Sequence, residues 1–178
     1  MTIFLCGFMG CGKTTVGRAL SRILRLPLID TDEAVVKSEG MSIPEIFEKK
    51  GEPYFRKIEA ETVRSLCQKN AVVACGGGAM LNADTAAAAK NAGASIVLLD
   101  HSFDTCYQRI KGDANRPIVQ NNTKEQLCEI FNRRAGVYRS NATAVLTVSP
   151  QNTPEETAMQ ITELLGIAMP GKVRQENI

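Results

Sequence analysis

The chain has 178 residues, of which 44% are hydrophobic and 22% are charged, enough for one α/β domain with its own core. Its 21 basic and 19 acidic residues give a net charge of +2, which does not indicate the basic face that nucleic-acid binding requires. No apolar run reaches membrane-spanning length and no signal peptide precedes the first apolar segment, so we expect a cytoplasmic protein that does not use a membrane. The six cysteines form no C-x-x-C pair, which favours free thiols over metal ligands.

The first predicted element is a short apolar strand over residues 2–6, of the kind that lies buried in a parallel sheet. Residues 7–14 follow with the sequence GFMGCGKT, which fits the phosphate-binding pattern G-x-x-x-x-G-K-[ST]. A helix is expected next, because Val16, Leu20, Ile23 and Leu24 share one helical face. Strand, glycine loop and helix are the context that this pattern requires, so we expect a nucleoside triphosphate to bind here.

The residue types of the loop explain that expectation. Glycines let backbone N–H groups turn inward as an anion-binding nest, and the helix points its positive end at the same place. Lys13 adds a charge for the β- and γ-phosphates, and the Thr14 hydroxyl is a ligand for Mg²⁺.

The second strand, over residues 26–30, ends in Asp30-Thr31-Asp32. This pair of carboxylates is either a simple turn or, beside a phosphate loop, a metal ligand and a group that accepts a hydroxyl proton; we favour the second. A helix over residues 33–38 is expected to stop at Gly40. Another, capped by Ser42, should reach residue 50 before Gly51, and a longer one should cover residues 53–69.

The third strand, over residues 71–75, runs into the triplet Gly76-Gly77-Gly78. Three glycines at a strand end usually mean that the backbone approaches a ligand. After the triplet we expect, in chain order, a helix from 82 or 83 to 91, a strand over 95–100, a helix over 103–110 capped by Ser102, a mobile loop over about 111–123, a helix from 124 to about 139, a strand over 144–148, and a helix over 154–165.

Five strands that alternate with helices predict a doubly wound parallel sheet flanked by helices, in a single domain over residues 1–166 with a frayed tail over 167–178. Ligands in such sheets lie beyond the carboxyl ends of the strands. The loop at 10–14, the aspartates at 30–32 and the glycines at 76–78 should therefore lie along one edge of the sheet.

Four further residues have an ordinary and a functional interpretation. Arg56 and Glu59 share a helical face, and by themselves they favour a simple salt bridge. Asp100 ends an apolar strand as a metal-binding Walker B aspartate would, but we interpret it as a strand-end or helix-capping residue. His101, the only histidine, is expected in an exposed loop without a chemical role.

The ordered set of motifs resembles the shikimate kinases over nearly the whole chain. The matching segments are GFMGCGKTT, DTD, SIPEIFEKKGEPYFRKIE, the glycine triplet, Arg116-Pro117 and RRAGVY at residues 133–138. The resemblance implies a P-loop kinase fold with a mobile lid. It also implies transfer of the γ-phosphate of ATP to the 3-hydroxyl of shikimate, with Mg²⁺.

The resemblance also implies two sets of binding residues. On the nucleotide side they are Gly10, Cys11, Gly12, Lys13, Thr14, Thr15, Arg109, Arg116 and Asn152. On the acceptor side they are Asp32, Phe47, Phe55, Arg56, Gly77, Gly78 and Arg134, with the substrate-binding helices over about 31–69.

Within these sets, the resemblance implies that Lys13, Asp32 and Arg116 are catalytic. Asp32 would hold ring hydroxyls and orient or deprotonate the acceptor, and Arg116 would reach the phosphates from a closing lid. Asp30 would support Mg²⁺ through water, with Thr14 as the direct ligand. On the acceptor, the two arginines would clamp the carboxylate, the glycine N–H groups would meet the substrate, and the two phenylalanines would wall the ring.

Other functions remain open at this stage. A gluconate kinase or a nucleoside monophosphate kinase shares the phosphate loop, but a nucleotide acceptor would need a base-reading pocket. A GTP-dependent switch or binding module is disfavoured because the guanine-reading N-K-x-D sequence is absent. No apolar stripe suggests a partner surface, so we expect a monomer.

Overall fold

The computed structural model describes residues 1–113 and 117–168. Its sheet consists of five strands: β1 (Ile3–Cys6), β2 (Leu28–Asp30), β3 (Val72–Ala74), β4 (Ser95–Asp100) and β5 (Ala144–Thr147). All neighbours pair in parallel, in the order β2-β3-β1-β4-β5. The predicted five-stranded, doubly wound parallel sheet is confirmed, and β1 lies at its centre, where the loop after it opens between β3 and β4.

Eight α-helices surround this sheet within the described residues. They are α1 (Lys13–Leu24), α2 (Thr31–Glu39), α3 (Ile43–Leu66), α4 (Ala83–Asn91), α5 (Phe103–Ile110), α6 (Pro117–Gln120), α7 (Lys124–Asn141) and α8 (Pro154–Leu164). A 3-10 turn, Ala79–Leu81, precedes α4. No helix in the described ranges has both the length and the apolar character needed to cross a membrane.

The two faces of the sheet bury separate cores because side chains alternate along each strand. In β1, Ile3 and Leu5 pack into the cluster shared with α1 and α8. Phe4 and Cys6 enter the other cluster, with Val63 of α3 and Ala86 of α4. This two-sided burial holds the centre of the sheet rigid at the point where the phosphate loop leaves it.

Helices α2 and α3 share a third, smaller core. Val35 of α2 packs with Ile46, Phe55 and Ile58 of α3. Gly51, with φ of 81°, kinks α3, so the predicted break there exists as a bend within one helix. The capping box of Ser42 and Glu45 starts this helix, as predicted.

Two expectations about the elements differ from the structure, and a third is left untested. Helix α2 begins at Thr31 rather than at residue 33, because the Asp30 side chain accepts from the Asp32 N–H and caps the helix immediately after β2. The segment expected as an irregular loop at 111–123 contains the short helix α6. The frayed tail is expected over residues 167–178, of which 169–178 lie outside the described residues.

Candidate active site

A cleft of about 580 Å³ runs along the carboxyl edge of the sheet. It brings together the loop after β1, the ends of β2 and β3, and side chains from α3, α5 and α7. The predicted site residues that line it are Gly10, Gly12, Lys13, Thr14, Thr15, Asp30, Asp32, Phe47, Phe55, Arg56, Gly77, Gly78, Arg109 and Arg134. The expectation that the three motifs lie along one edge is therefore confirmed. Arg116 lies outside the described residues, so its lid role stays a prediction.

The phosphate loop has a backbone conformation that residues with a Cβ atom rarely adopt. Gly10 and Gly12 have φ of 79° and 92°, in the left-handed region that favours glycine. Lys13 folds back over the loop, and its Nζ donates to the carbonyl oxygens of Gly7 at 2.9 Å and Phe8 at 3.1 Å. The ammonium is thus held directly above the turn where α1 presents its free N–H groups.

Asp30 connects the phosphate loop to the acceptor side. The Thr14 hydroxyl donates to its Oδ2 at 3.2 Å, while its Oδ1 accepts from the backbone N–H of Asp32 at 2.9 Å. One carboxylate therefore fixes both the start of α1 and the turn that carries Asp32. A hydroxyl and a carboxylate side by side are the oxygen donors that Mg²⁺ prefers.

The acceptor side is built on a close approach between the glycine triplet and charged side chains. A Cβ on Gly78 would clash with the Arg56 guanidinium, and a Cβ on Gly76 would clash with an Asp32 carboxylate oxygen. The nearest side-chain atom to a Cβ on Gly77 would be Nη1 of Arg134, at 4.0 Å. Glycine at positions 76 and 78 therefore keeps this floor of the cleft open, as expected where backbone meets a ligand.

Glu59 is a member of this site that the sequence analysis left as one half of a helical salt bridge. Its side chain is almost fully buried, and Oε2 accepts from Arg56 Nη1 at 2.9 Å. Burial raises the pKa of Glu59 above its ordinary value, Arg56 opposes that shift, and nearby Asp32 adds to it. Arg56 is also held by Glu52 at 3.0 Å, so its guanidinium is oriented from two sides. The i, i+3 spacing from Arg56 was the one signal for Glu59 in the sequence.

Two residues that were not predicted hold the glycine triplet in place. The Gly76 N–H donates to Thr31 Oγ1 at 2.7 Å, and the Tyr138 hydroxyl donates to the Gly77 carbonyl. Both side chains are buried, and burial raises the Tyr138 pKa well above its ordinary value. They fix the triplet between the start of α2 and α7.

Phe47 and Phe55 give the acceptor side of the cleft an apolar surface. Their ring centroids are 4.9 Å apart, with Phe55 buried in the α2–α3 core and Phe47 exposed toward solvent. The Arg56 guanidinium lies 5.2 Å from the centroid of the Phe55 ring. The acceptor side therefore combines an apolar surface with the positively charged guanidinium of Arg56.

On the other side of the phosphate loop lies a cavity of about 270 Å³, which we call the nucleoside cavity. Its walls include Cys11, Thr15, Arg109 and Asn152, so the remaining described members of the predicted nucleotide set lie here. Arg109 Nη1 donates to the Gly10 carbonyl at 3.0 Å, and Asn152 donates to Gln160 at 2.9 Å. Arg109 of the predicted nucleotide set is thus anchored to the phosphate loop itself.

The expectation that His101 is exposed is wrong. It is only 7% exposed and lines the nucleoside cavity. Asp100 ends β4, as expected, and pairs with Arg139, while Ser102 caps α5. His101 lies between Asp100 and Ser102 in the chain, at the junction of β4 and α5. Burial lowers the pKa of His101, Arg109 lowers it further, and Asp100 opposes the shift.

This burial predicts an acid-sensitive contribution to stability. Because the native pKa of His101 lies below its unfolded value near 6.5, the unfolded chain binds the proton more readily as pH falls. The free energy of unfolding should therefore fall as pH drops below about 6.5, by at most about 1.4 kcal/mol per pH unit from this group. Urea unfolding at pH 7.5 and 5.5 should show a smaller drop for His101→Phe than for the native chain. An identical drop would contradict the assignment.

The family model and the sequence relatives that match this chain all belong to one family. A sequence model described as shikimate kinase matches residues 9–166. A shikimate kinase of Aquifex aeolicus is 40% identical over 162 residues, which cover 90% of this chain and 94% of that protein. A shikimate kinase of Nitrosospira multiformis is 39% identical over 165 residues, covering 90% and 84% of the two chains.

Solved structures agree with the sequence relatives. Shikimate kinase from Acinetobacter baumannii in complex with shikimate superposes with a TM-score of 0.84 at 34% identity, over 92% of each chain. A deoxyadenosine kinase from M. mycoides with bound dATP matches with a TM-score of 0.61 at 14% identity, which supports the fold alone. With a family model matched over most of its length and relatives at 40% identity, the chain belongs to the shikimate kinase family.

Proposed function

We propose that this chain transfers the γ-phosphate of ATP to the 3-hydroxyl of shikimate, a step in the synthesis of chorismate and the aromatic amino acids. The observation that carries the proposal is a single cleft with a phosphate loop at one end. At its other end lie two arginines, an aspartate and a glycine floor. That second set of groups matches a ring bearing one carboxylate and several hydroxyls.

Arg56 and Arg134 clamp the shikimate carboxylate in this proposal, with the N–H groups of Gly77 and Gly78 beside them. The contact of the Gly78 backbone with Arg56 supports a shared anion site, because guanidinium forks and backbone donors converge on the same small region. Glu59 and Glu52 hold the Arg56 fork before substrate arrives, which lowers the cost of ordering it. The ring then lies against Phe47 and Phe55.

Phosphoryl transfer requires mainly positioning and charge stabilisation. Asp32 orients the 3-hydroxyl and accepts its proton, while Lys13 turns from the loop carbonyls to the β- and γ-phosphates. Arg116 reaches the phosphates from the lid over about 111–123, and closure excludes water that would otherwise hydrolyse ATP. Arg109 and Asn152 hold the adenine end.

Mg²⁺ is the cofactor in this proposal. The Thr14 hydroxyl and the Asp30 carboxylate, 3.2 Å apart, fit it because Mg²⁺ binds through few protein oxygens together with substrate phosphates and water. Bound there, the ion neutralises charge on the phosphates. Asp30 would keep its second oxygen for the Asp32 N–H, so the cap of α2 is retained.

We expect a cytoplasmic monomer. All six cysteines are free, as suits a reducing compartment. The large apolar side chains exposed in the described part of the chain are spread over several elements, among them Val36 on α2, Val137 on α7 and Met159 on α8. Such scattered residues are normal on a monomer.

The proposal is tested by coupled ADP release with shikimate, quinate and gluconate as alternative acceptors, followed by ³¹P NMR of the product. We expect turnover with shikimate to exceed that with the other two strongly, and a single new ester at the 3-hydroxyl. Faster turnover with gluconate, or an ester at another hydroxyl, would refute it.

Gly78→Ala should damage the acceptor side alone. The new Cβ would displace the Arg56 guanidinium, and loss of a charge-assisted hydrogen bond corresponds to a roughly 10- to 100-fold rise in KM for shikimate. KM for ATP should change little. Gly136→Ala is the matched control, because a Cβ there meets no atom within 4 Å and lies inside α7. Equal kinetics for the two variants would contradict the proposed contact.

A further inference from the structure

Two buried side chains near the C-terminal end of α7 attach this helix to the glycine triplet and to the turn that follows it. The Tyr138 hydroxyl donates to the Gly77 carbonyl, and Asn141 Nδ2 donates to the Met80 carbonyl at 2.9 Å. Each bond joins residues that are 61 positions apart in the chain. The floor of the acceptor side therefore depends on α7, the helix that also carries Arg134.

The ring and the hydroxyl of Tyr138 contribute differently. The ring lies in the apolar core with Phe4 and Leu98, so it belongs to the packing of the sheet. The hydroxyl at its tip contacts the Gly77 carbonyl. Burial raises the pKa of Tyr138 well above its ordinary value, so the hydroxyl keeps its hydrogen and remains a donor at neutral pH. Phenylalanine at this position would remove the directed contact and keep the packed ring.

The hydrogen bond from Tyr138 also fixes the direction of a second backbone group. The Gly77 carbonyl and the Gly78 N–H belong to one planar peptide unit, and no peptide bond in the described ranges is cis. In a trans unit these two groups point in opposite directions. By holding the carbonyl, the Tyr138 hydroxyl therefore directs the Gly78 N–H away from itself.

Arg134 lies close to the same hydroxyl. It is one turn earlier on α7, and its positive charge opposes the rise in the Tyr138 pKa that burial causes. Its Nη1 would lie 4.0 Å from a Cβ built on Gly77, and its side chain lines the cleft. Tyr138 is thus next to both the backbone and the guanidinium that are proposed to meet the acceptor.

We propose that Tyr138 is a positioning residue that holds the Gly77–Gly78 peptide and Arg134 in the arrangement that receives the acceptor carboxylate. The inference rests on the proposed function, which assigns the carboxylate to this end of the cleft. A charge-assisted contact to a guanidinium fork depends on orientation, so a loosened floor weakens it even when the arginine is present. The carboxylate is bound alike before and during transfer, so the loss should appear in KM rather than in kcat.

The test compares Tyr138→Phe with Asn141→Ala, a matched variant that removes the other buried hydrogen bond from α7 to this segment. Both variants and the native chain are assayed with shikimate and with its carboxamide. Tyr138→Phe should raise KM for shikimate about three- to tenfold and leave kcat, KM for ATP and KM for the carboxamide within about twofold. Asn141→Ala should melt at a lower temperature and keep KM for shikimate within about twofold.

The possible outcomes separate positioning from a purely structural role. A structural role would raise KM for both acceptors alike in Tyr138→Phe, or would give Asn141→Ala the same rise in KM for shikimate. Either result overturns the proposal. Failure of the proposed function looks different, because the native chain would then use shikimate and its carboxamide equally well or use neither. That result removes the carboxylate from this end of the cleft, and the positioning role falls with it.

A second measurement keeps tyrosine at position 138 and decides the matter if Tyr138→Phe does not fold. The chain has three tyrosines, so labelling with 3-fluorotyrosine gives three ¹⁹F NMR signals, which Tyr54→Phe and Tyr107→Phe assign. At concentrations that calorimetry shows to saturate the chain, shikimate should shift the signal of residue 138 clearly and the carboxamide should shift it much less. An equal shift with both ligands, or no shift with bound shikimate, would overturn the proposal.

Discussion

Lys13→Ala is expected to lower kcat by about a thousandfold or more, the scale seen when a group that stabilises transition-state charge is removed. In the structure, Lys13 Nζ is satisfied by the carbonyls of Gly7 and Phe8 at the turn of the phosphate loop. The same position places it beside the phosphates of a bound nucleotide, where charge moves during transfer. An interaction that is stronger in the transition state than in the ground state acts on kcat more than on KM.

The matched control is Lys69→Ala, which removes an exposed lysine beyond the end of α3. Both variants should keep native circular dichroism and nearly native melting, because Lys13 is not part of the apolar core. Turnover by Lys13→Ala at a rate close to that of Lys69→Ala would remove the phosphate loop from the mechanism.

Asp32→Asn is expected to lower kcat by about a hundredfold or more, as general-base groups contribute 10²–10⁴. The asparagine keeps the size of the side chain, so the close approach to Gly76 is preserved. It removes the charge that orients and deprotonates the hydroxyl. It also removes a negative neighbour of Glu59, which should bring the Glu59 pKa down toward its ordinary value.

Asp84→Asn, in the exposed first turn of α4, is the control for the loss of one carboxylate. ATP affinity measured by calorimetry should be unchanged in both variants. If Asp32→Asn instead kept its kcat and lost ATP affinity, Asp32 would belong to the metal site and not to the acceptor.

Much of the fold was predictable because its signals are local. The central strand, the phosphate loop and α1 lie within the first 24 residues. The capping boxes that begin at Ser42, Thr123 and Thr153 each involve a segment of only four residues. Alternation of apolar strands with helices then leaves few topologies for a parallel sheet. The carboxyl-edge rule places the motifs in one cleft without further information.

What escaped prediction depends on contacts between distant parts of the chain. The Thr31–Gly76 hydrogen bond spans 45 residues and the Tyr138–Gly77 bond spans 61, so no local pattern indicates either. Glu59 is an ordinary helical partner of Arg56 until α3 packs it beneath the glycine triplet. His101 is buried by the packing of α5 and α7 around the end of β4. This burial could not be predicted from the sequence, because the residues on either side of His101, Asp100 and Ser102, are polar.

The central claim is that the two arginines bind a substrate carboxylate, and one double cycle tests it most directly. The measurement is kcat/KM of the native chain and of Arg134→Lys, each with shikimate and with its carboxamide; Arg133→Lys, at an exposed neighbouring position, is the control. Lysine cannot reproduce the bidentate fork, so Arg134→Lys should raise KM for shikimate and leave KM for ATP unchanged. Replacing the carboxylate should then harm the native chain and the control far more than Arg134→Lys. If the two losses simply add, the arginine does not bind the carboxylate, and the acceptor is not shikimate held in this way.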